Sequence, residues 1–317
     1  MQSARLIYNP TAGRFPARPL LDRAIRVLAD AGWQVEVFET RAGQDLPELA
    51  GEAVTAGCDA VFVAGGDGSV GRVSSMLAGT KTALGVLPTG TANVWAQEMG
   101  LPTLDWAHWF ALEDAAARLA GGHVRLVDLG ESQGRTFLLW SGIGLDGQIV
   151  NSIEPRVRWE KAFGNLQYAL LALWSARDWT GIDLRVRAGG REWEDHYLVA
   201  IASNIRAYAG GLMELSPEAK VDDGLLDFWL IGGRSVMDAV VRVGQVLLGV
   251  HSDAPEMVHF KSSQATFEAE GELPMQFDGE PAVMTSPVEF TVRSRVLRVL
   301  VPKTTTSELF SRTPTSA

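Results

Sequence analysis

The sequence predicts an α/β protein in two parts: an N-terminal α/β domain with a parallel sheet, then a C-terminal antiparallel β-rich sandwich domain. Three observations predict it. Strand and helix patterns alternate through the first hundred residues, short strand patterns dominate beyond Gly121-Gly122, and three Gly/Thr/Asn-rich loops follow early strands. Regular alternation of this kind implies parallel strands covered on both faces.

Ala4–Tyr8 reads as a strand, Ala17–Ala31 as an amphipathic helix and Trp33–Phe38 as a second strand. A helix over Leu46–Ala56, a strand over Ala60–Ala64, a helix over Val70–Ala78 and a strand over Ala83–Leu87 continue the alternation. A helix over Leu104–Ala120 follows, with Trp106, Trp109, Phe110 and Leu119 near one face, a spacing that predicts a core stripe. The later strands are Val124–Leu129, Thr136–Trp140, Asp183–Val186, His196–Ile201, Leu225–Ile231, His259–Phe267, Met275–Phe277 and Val288–Thr291. Helices near Phe163–Ala176 and Ser235–Val250 interrupt them; Arg295–Val301 reads as a last strand and Thr304–Ala317 as a frayed polar tail. The expected domains are 1–122, completed by 295–302, then 123–294, with 303–317 as a flexible tail.

Composition narrows the function. At 317 residues, 46% hydrophobic and 21% charged, the chain has the makeup of a globular protein and not of a disordered one. A net charge of −10 without a dense Lys/Arg stretch argues against nucleic acid as a partner and against permanent adhesion to an anionic membrane. The single cysteine, Cys58, excludes a disulfide framework and suits a reducing compartment. The apolar stretch Tyr168–Trp174 falls short of the roughly 20 residues a spanning helix needs, so a cytoplasmic location is expected.

The chemistry concentrates in loops. In Gly65-Gly66-Asp67-Gly68-Ser69 a strand runs into glycines and then a helix, and successive amides there can line an anion site backed by the helix N-terminus. The same pattern suits a plain strand–helix turn with Asp67 as N-cap. Asn9-Pro10-Thr11-Ala12-Gly13-Arg14 follows the first strand and Pro88-Thr89-Gly90-Thr91-Ala92-Asn93 the fourth. All three loops fall at carboxyl ends of parallel strands, where open α/β sheets bind ligands, so a nucleotide site is the leading reading. Gly85–Thr91 lacks the lysine of a Walker A loop, and no G-x-G-x-x-G follows the first strand.

NPTAGR, GGDGS and PTGTAN, in this order, resemble the diacylglycerol kinase catalytic-domain family, which includes bacterial lipid kinases and sphingosine kinases, with a more distant likeness to NAD kinases. Gly144-Leu145-Asp146, Asn204 through Gly210-Gly211, Asp222 through Asp227, and Phe277-Asp278-Gly279-Glu280 extend the resemblance to about Pro302. The resemblance implies an ATP- and Mg²⁺-dependent lipid kinase acting on a diacylglycerol-like or sphingoid hydroxyl. It places ATP against Asn9–Gly13, Thr40, Gly66, Asp67, Gly68, Ser69, Val70, Gly71, Arg72 and Thr91, with Arg14, Gly65, Thr89, Gly90 and Asn93 in the same loops. It places the base in the D-G-E motif, as Asp278 or Glu280, beside Asp67 as a further catalytic carboxylate. It implies Mg²⁺ at Asp67 and Asp128, and a second site at Asp223 with the carbonyls of Lys220 and Leu225. Asp278-Gly279 and Asp222-Asp223-Gly224 also suit ordinary turns.

Three departures count against full catalysis: Gly71-Arg72 stands where the family commonly has Asn-Glu, and Val94 where it has Asp. A non-catalytic nucleotide- or lipid-binding homologue, or a kinase of the same fold with a soluble acceptor, therefore stays open. Arg156, Arg158, Lys161 and Arg177 flank the apolar helix Gly164–Trp174, an arrangement for transient contact with a membrane surface as well as for a core helix. The expected partners are a lipid substrate and no nucleic acid, with a homodimer left open.

Overall fold

The structure, a computed structural model, describes residues 2–10, 17–41, 45–104, 108–153 and 179–312. The chain divides into two compact units: Met1–Asp128 with Val221–Asp223 and Ser294–Ala317, and Leu129–Lys220 with Gly224–Arg293. As expected from the alternation, the first is a parallel α/β unit and the second is antiparallel.

The first unit runs β1 (Gln2–Tyr8), α1 (Ala17–Asp30), β2 (Trp33–Glu39), α2 (Leu46–Thr55), β3 (Ala60–Gly65), α3 (Asp67–Leu77), β4 (Ala83–Pro88), α4 (Val94–Glu98) and α5 (Ala111–Ala120). Its strands lie in the order β4, β3, β1, β2, all parallel, with Val299 of the final strand paired to Leu84 beside β4. Every residue of β3 and β4 is buried, because helices cover both faces of a parallel sheet. Gly85 is required beneath the Phe62 ring, where a Cβ would come within 2.5 Å.

The second unit contains β6 (Arg135–Phe137), β7 (Trp140–Gly144), α6 (Leu145–Ile153), β8 (Ile182–Ala188), β9 (Arg191–Ser203), β10 (Ala207–Tyr208), β11 (Met213–Glu214) and β12 (Leu226–Gly232). It continues with α7 (Val236–Leu247), β13 (Met257–Ser262), β14 (Gln264–Glu268), β15 (Glu272–Phe277) and β16 (Glu280–Thr285). His123–Ser132 is β5 and Val288–Val301 is β17; each begins in one unit and ends in the other. The order β16, β15, β7, β9, β8, β14 is antiparallel throughout, and β9 also pairs with β12 along its second half. Its core is an aromatic cluster in which Phe290 meets Phe137, Phe228 and Phe267 edge-on at 5.3–6.2 Å.

The structure corrects several expected elements. The helix expected from Leu104 begins at Ala111, with Phe110 63% exposed and Trp109 42% exposed instead of in a core stripe. Arg23 partly covers the segment: its guanidinium lies 5.0 Å over the Phe110 ring and donates to the Trp109 carbonyl at 3.1 Å. Trp106 lies outside the described residues. Thr136–Trp140 splits between β6 and β7, and His259–Phe267 between β13 and β14, while β17 runs unbroken through Arg295 at φ 52°.

Residues 304–312, read from their polar composition as a frayed tail, are docked up to Arg312. Leu309 and Phe310 are buried, Thr305 Oγ1 donates to the Met99 carbonyl at 2.7 Å, and Arg125 lies 3.9 Å over the Phe310 ring. The expected helix Phe163–Ala176 and its flanking basic residues Arg156, Arg158, Lys161 and Arg177 lie outside the described residues. Among those described, no helix is long and apolar enough to cross a membrane.

Candidate active site

Parallel strands end together on one edge, and the register sets the turns that follow them side by side. Tyr8 pairs with Glu39 and Ala64, and Gly65 pairs with Pro88. Thr40 and Asn9 therefore stand level with Gly65 and Pro88 across β2, β1, β3 and β4, and Gly66 and Thr89 follow one residue on at the same edge. Backbone bonds hold it: Thr40 N–H donates to Tyr8 at 2.9 Å, Asn9 to Ala64 at 3.4 Å, and Thr89 to Gly65 at 3.2 Å. Pro10 ends the description of the first loop, and Thr11, Ala12, Gly13 and Arg14 lie outside the described residues.

Two of these turns meet backbone to backbone. A Cβ on Gly90 would lie 2.3 Å from the Gly66 Cα and 2.9 Å from its nitrogen. Only glycine fits that crossing. Asn93, left-handed at φ 54°, closes the Gly90–Asn93 loop that contains Thr91: its Oδ1 accepts the Gly90 N–H at 2.8 Å and its Nδ2 donates to the Gly90 carbonyl at 2.9 Å. The hydroxyls of Thr40 and Thr89 are buried, and neither has a hydrogen-bond partner among the described residues. A buried polar group left so costs about 1–3 kcal/mol, which suits a place built to meet a polar ligand.

Gly66 caps α3, its carbonyl accepting the N–H groups of Ser69 at 2.9 Å and Val70 at 3.1 Å. Asp67 is thus the first helical residue and not the cap. Its carboxylate reaches the start of α4, where Oδ1 accepts the Trp95 N–H at 3.2 Å. Burial pushes the Asp67 carboxyl up from its ordinary pKa, and amides of Val94, Trp95, Asp67 itself and Asn93 oppose that rise. Gly68, Gly71 and Arg72 follow in α3, and Val94 is buried at the head of α4.

Asp128 is fully buried and accepts the Arg295 N–H at 2.6 Å, which ties its carboxylate to the left-handed residue in β17. Asp222 is buried beside Arg125 at 3.6 Å and accepts the Ser311 N–H. Asp223 belongs to the first unit, Lys220 and Leu225 to the second. Among the described residues, no three His, Cys, Asp or Glu side chains gather as a metal-binding group.

The second unit builds its own constellation around the D-G-E turn. Phe277 pairs with Glu280 across a two-residue hairpin, with Asp278 at φ 49° and Gly279 at φ 81°, the left-handed pair such a turn demands. The Asp278 carboxylate folds back onto three backbone amides: Leu138 at 2.8 Å, Leu139 at 2.8 Å and Trp140 at 3.2 Å. Those amides are turned from any ladder, which is why the strand expected over Thr136–Trp140 breaks. Asn204 holds the same loop by its carbonyls, donating from Nδ2 to Leu138 at 3.0 Å and from its backbone to Leu139 at 2.8 Å. Glu280 lies 3.8 Å from Arg135 at a more open position.

Asp146, Gln276 and Tyr208 complete this site, and sequence reasoning assigned them no role. Gln276 Nε2 donates to Asp146 Oδ2 at 2.7 Å, and Tyr208 also hydrogen-bonds Asp146. Burial raises the Asp146 carboxyl to about 6 against the pull of both partners, and the Tyr208 phenol is pushed well above its usual range, chiefly by burial. The only sequence signal was Asp146 after Gly144-Leu145; a glutamine inside a strand has no motif.

A consequence is a pH-dependent stability. The fold prefers neutral Asp146, so its contribution is complete below the unfolded value near 3.8 and lost as pH rises through about 6. Asp146→Asn, neutral throughout, is expected to gain stability relative to wild type by about 2 kcal/mol between pH 4 and pH 7.5. Urea unfolding at the two pH values checks this; an equal effect at both contradicts it.

Residues 3–132 match the family described as Diacylglycerol kinase catalytic domain, and residues 141–301 match the YegS C-terminal NAD kinase beta sandwich-like domain. A diacylglycerol kinase of Mycobacterium tuberculosis is 31% identical over 303 residues, 93% of this chain and 94% of that one. A diacylglycerol kinase of Bacillus subtilis is 25% identical over 314 residues, 98% of this chain and 99% of that one. A solved diacylglycerol kinase from Bacillus anthracis shares the fold with a TM-score of 0.74 at 22% identity, covering 96% of this chain and 98% of its own.

Proposed function

We propose a reaction on the premise that this chain belongs to the diacylglycerol kinase catalytic-domain family and is a kinase: ATP-dependent transfer of a γ-phosphoryl group to a hydroxyl of a diacylglycerol-like or sphingoid lipid. The observation that carries the reading is the row of strand ends in the first unit, with two glycine turns in backbone contact and two buried hydroxyls that find no hydrogen-bond partner among the described residues. In this reading amides at Gly66 and Gly68 and the hydroxyls of Thr40 and Thr89 hold the nucleotide, together with Asn9, Gly13 and Thr91, while Gly90 lets the two turns approach closely enough to shape the site. Phosphoryl transfer is mostly a matter of positioning and charge stabilisation, which fixed amides supply.

Mg²⁺ would neutralise phosphate charge when bound. Since Asp67 and Asp128 both accept amide N–H groups, they are proposed to meet the ion through water, with the phosphates as its main ligands. Asp223 is proposed to take part in a separate ion site. The D-G-E turn is proposed to take the proton of the acceptor hydroxyl through Asp278 or Glu280. Asp278 is the more firmly held of the two, and Glu280 the more open.

Thr89→Val tests the nucleotide row. It replaces a hydroxyl without a hydrogen-bond partner among the described residues by a methyl group, so the ligand-free protein is expected to gain about 1 kcal/mol while ATP binds about tenfold more weakly. Calorimetric unfolding and a fluorescent-nucleotide titration measure the two effects. A variant that binds ATP as wild type does removes Thr89 from the site.

The test of the whole reading is transfer of radiolabelled phosphate from ATP with Mg²⁺ into mixed micelles of diacylglycerol, monoacylglycerol, sphingosine, ceramide and phosphatidylglycerol, beside soluble sugar and NAD acceptors. A labelled lipid supports the proposal and names the acceptor. Label only in a soluble acceptor, or ATP binding without transfer to any acceptor, contradicts it.

A further inference from the structure

The β15–β16 turn carries both carboxylates proposed for proton transfer, so whatever fixes that turn bears on the reaction. In a two-residue hairpin the N–H of the second turn residue has no ladder partner. Here the Gly279 N–H donates to Gln276 Oε1 at 2.7 Å. The other end of the same side-chain amide donates from Nε2 to Asp146 Oδ2 at 2.7 Å. Gln276 is buried, and its own carbonyl accepts a hydrogen bond from Ser141 Oγ at 2.7 Å.

The surroundings leave this amide one orientation. Its oxygen must face the Gly279 donor and its nitrogen the carboxylate. Gly142, paired with Gln276 across β7 and β15, makes the room: a Cβ there would come 2.0 Å from Asp146 Oδ2. Tyr208 supplies the second donor to Asp146, and its ring meets that of Trp140 at 5.3 Å, whose amide donates to Asp278.

We propose that Asp146 and Gln276 are positioning residues: Asp146 orients the Gln276 amide, and Gln276 holds the Gly279 N–H and with it the direction in which Asp278 and Glu280 are presented. The inference rests on the reading of that turn as the proton-accepting site. Neither residue need touch the substrate for it to hold.

A polarity swap tests it. Gln276→Glu keeps an acceptor for Gly279 but removes the donor to Asp146 and sets two carboxylates together. At pH 8 this variant is expected to lose about tenfold or more in kcat with KM for ATP unchanged, and amide exchange in a peptide spanning 276–281 is expected to quicken about tenfold. Adding Asp146→Asn restores a bond of reversed polarity, Asn Nδ2–H to Glu, and is expected to return both readouts to within about threefold of wild type. Rescue of a disabled single variant by a second substitution is not what a general loss of structure produces. Unchanged exchange in Gln276→Glu, or a double variant no better than the single one, overturns the proposal. If wild type transfers phosphate to no acceptor, the kinase reading fails on that result, while exchange at Gly279 still decides whether the relay positions the turn.

Discussion

Asp278→Ala is expected to destabilise the protein by about 3 kcal/mol or more and to abolish phosphate transfer. The substitution leaves the amides of Leu138, Leu139 and Trp140 without their acceptor in a buried loop. Each lost bond of this kind costs about 1–3 kcal/mol, and relaxation of the loop recovers part of the sum. Asp278→Asn is not innocent either. Its oxygen can still serve Leu139 and Trp140, but its NH₂ then faces the Leu138 N–H, donor against donor. Glu280→Gln separates chemistry from folding, because Glu280 sits at a more open position beside Arg135. It is expected to change stability by less than about 0.5 kcal/mol. A loss of about 10²-fold in kcat would make Glu280 the base, and near-normal turnover would leave that role to Asp278. Urea unfolding and steady-state transfer on the three variants decide between these outcomes; an Asp278→Ala protein of wild-type stability would contradict the geometry itself.

Gly90→Ala is the second large effect. The added Cβ would sit 2.3 Å from the Gly66 Cα, so one of the two loops must give way. The expected cost is about 2–3 kcal/mol, with ATP binding weakened at least about tenfold as the strand-end row loses its shape. Gly68→Ala is the informative control. A Cβ there meets nothing within 4 Å and the residue is helical, so stability should hold or rise by about 0.5–1 kcal/mol. If phosphate lies against that backbone, nucleotide binding should still fall. A Gly68→Ala protein that is stable and binds ATP normally would move the phosphates away from α3.

The parts of the fold that were legible in the sequence are those where one local rule decides. β3 and β4 are buried along their whole length, so they read as apolar runs ended by glycine or proline, and the loops after them follow from the same pattern. The D-G turn announced itself for the same reason. What was not legible depends on distant partners. The break at Leu138–Trp140 is made by a carboxylate 138–140 positions away, and the bend at Arg295 by Asp128, 167 positions away. The docking of residues 304–312 rests on Met99 and on Arg125 against the Phe310 ring. Phe110 is largely exposed with only an arginine from α1 over its ring, and periodicity within its own segment carries no trace of that.

The same division runs through the site. The glycines and Asn93 were found by pattern, whereas the reason for Gly90, its approach to Gly66, belongs to the tertiary structure. Asp67 follows Gly66 in the same pattern, but only the structure shows that it serves the start of α4 instead of the plain turn's cap of its own helix. Gln276 was invisible, because its importance comes from the register that sets it across from Gly142 and beside Asp146.

The central claim is that the strand-end row holds the nucleotide. Amide hydrogen exchange with and without a non-hydrolysable ATP analogue and Mg²⁺ tests it most directly. The account predicts slowed exchange in peptides covering 64–71 and 88–95, with the Thr89→Val protein needing about tenfold more nucleotide for the same protection. Saturating nucleotide binding that leaves both segments unprotected would contradict it.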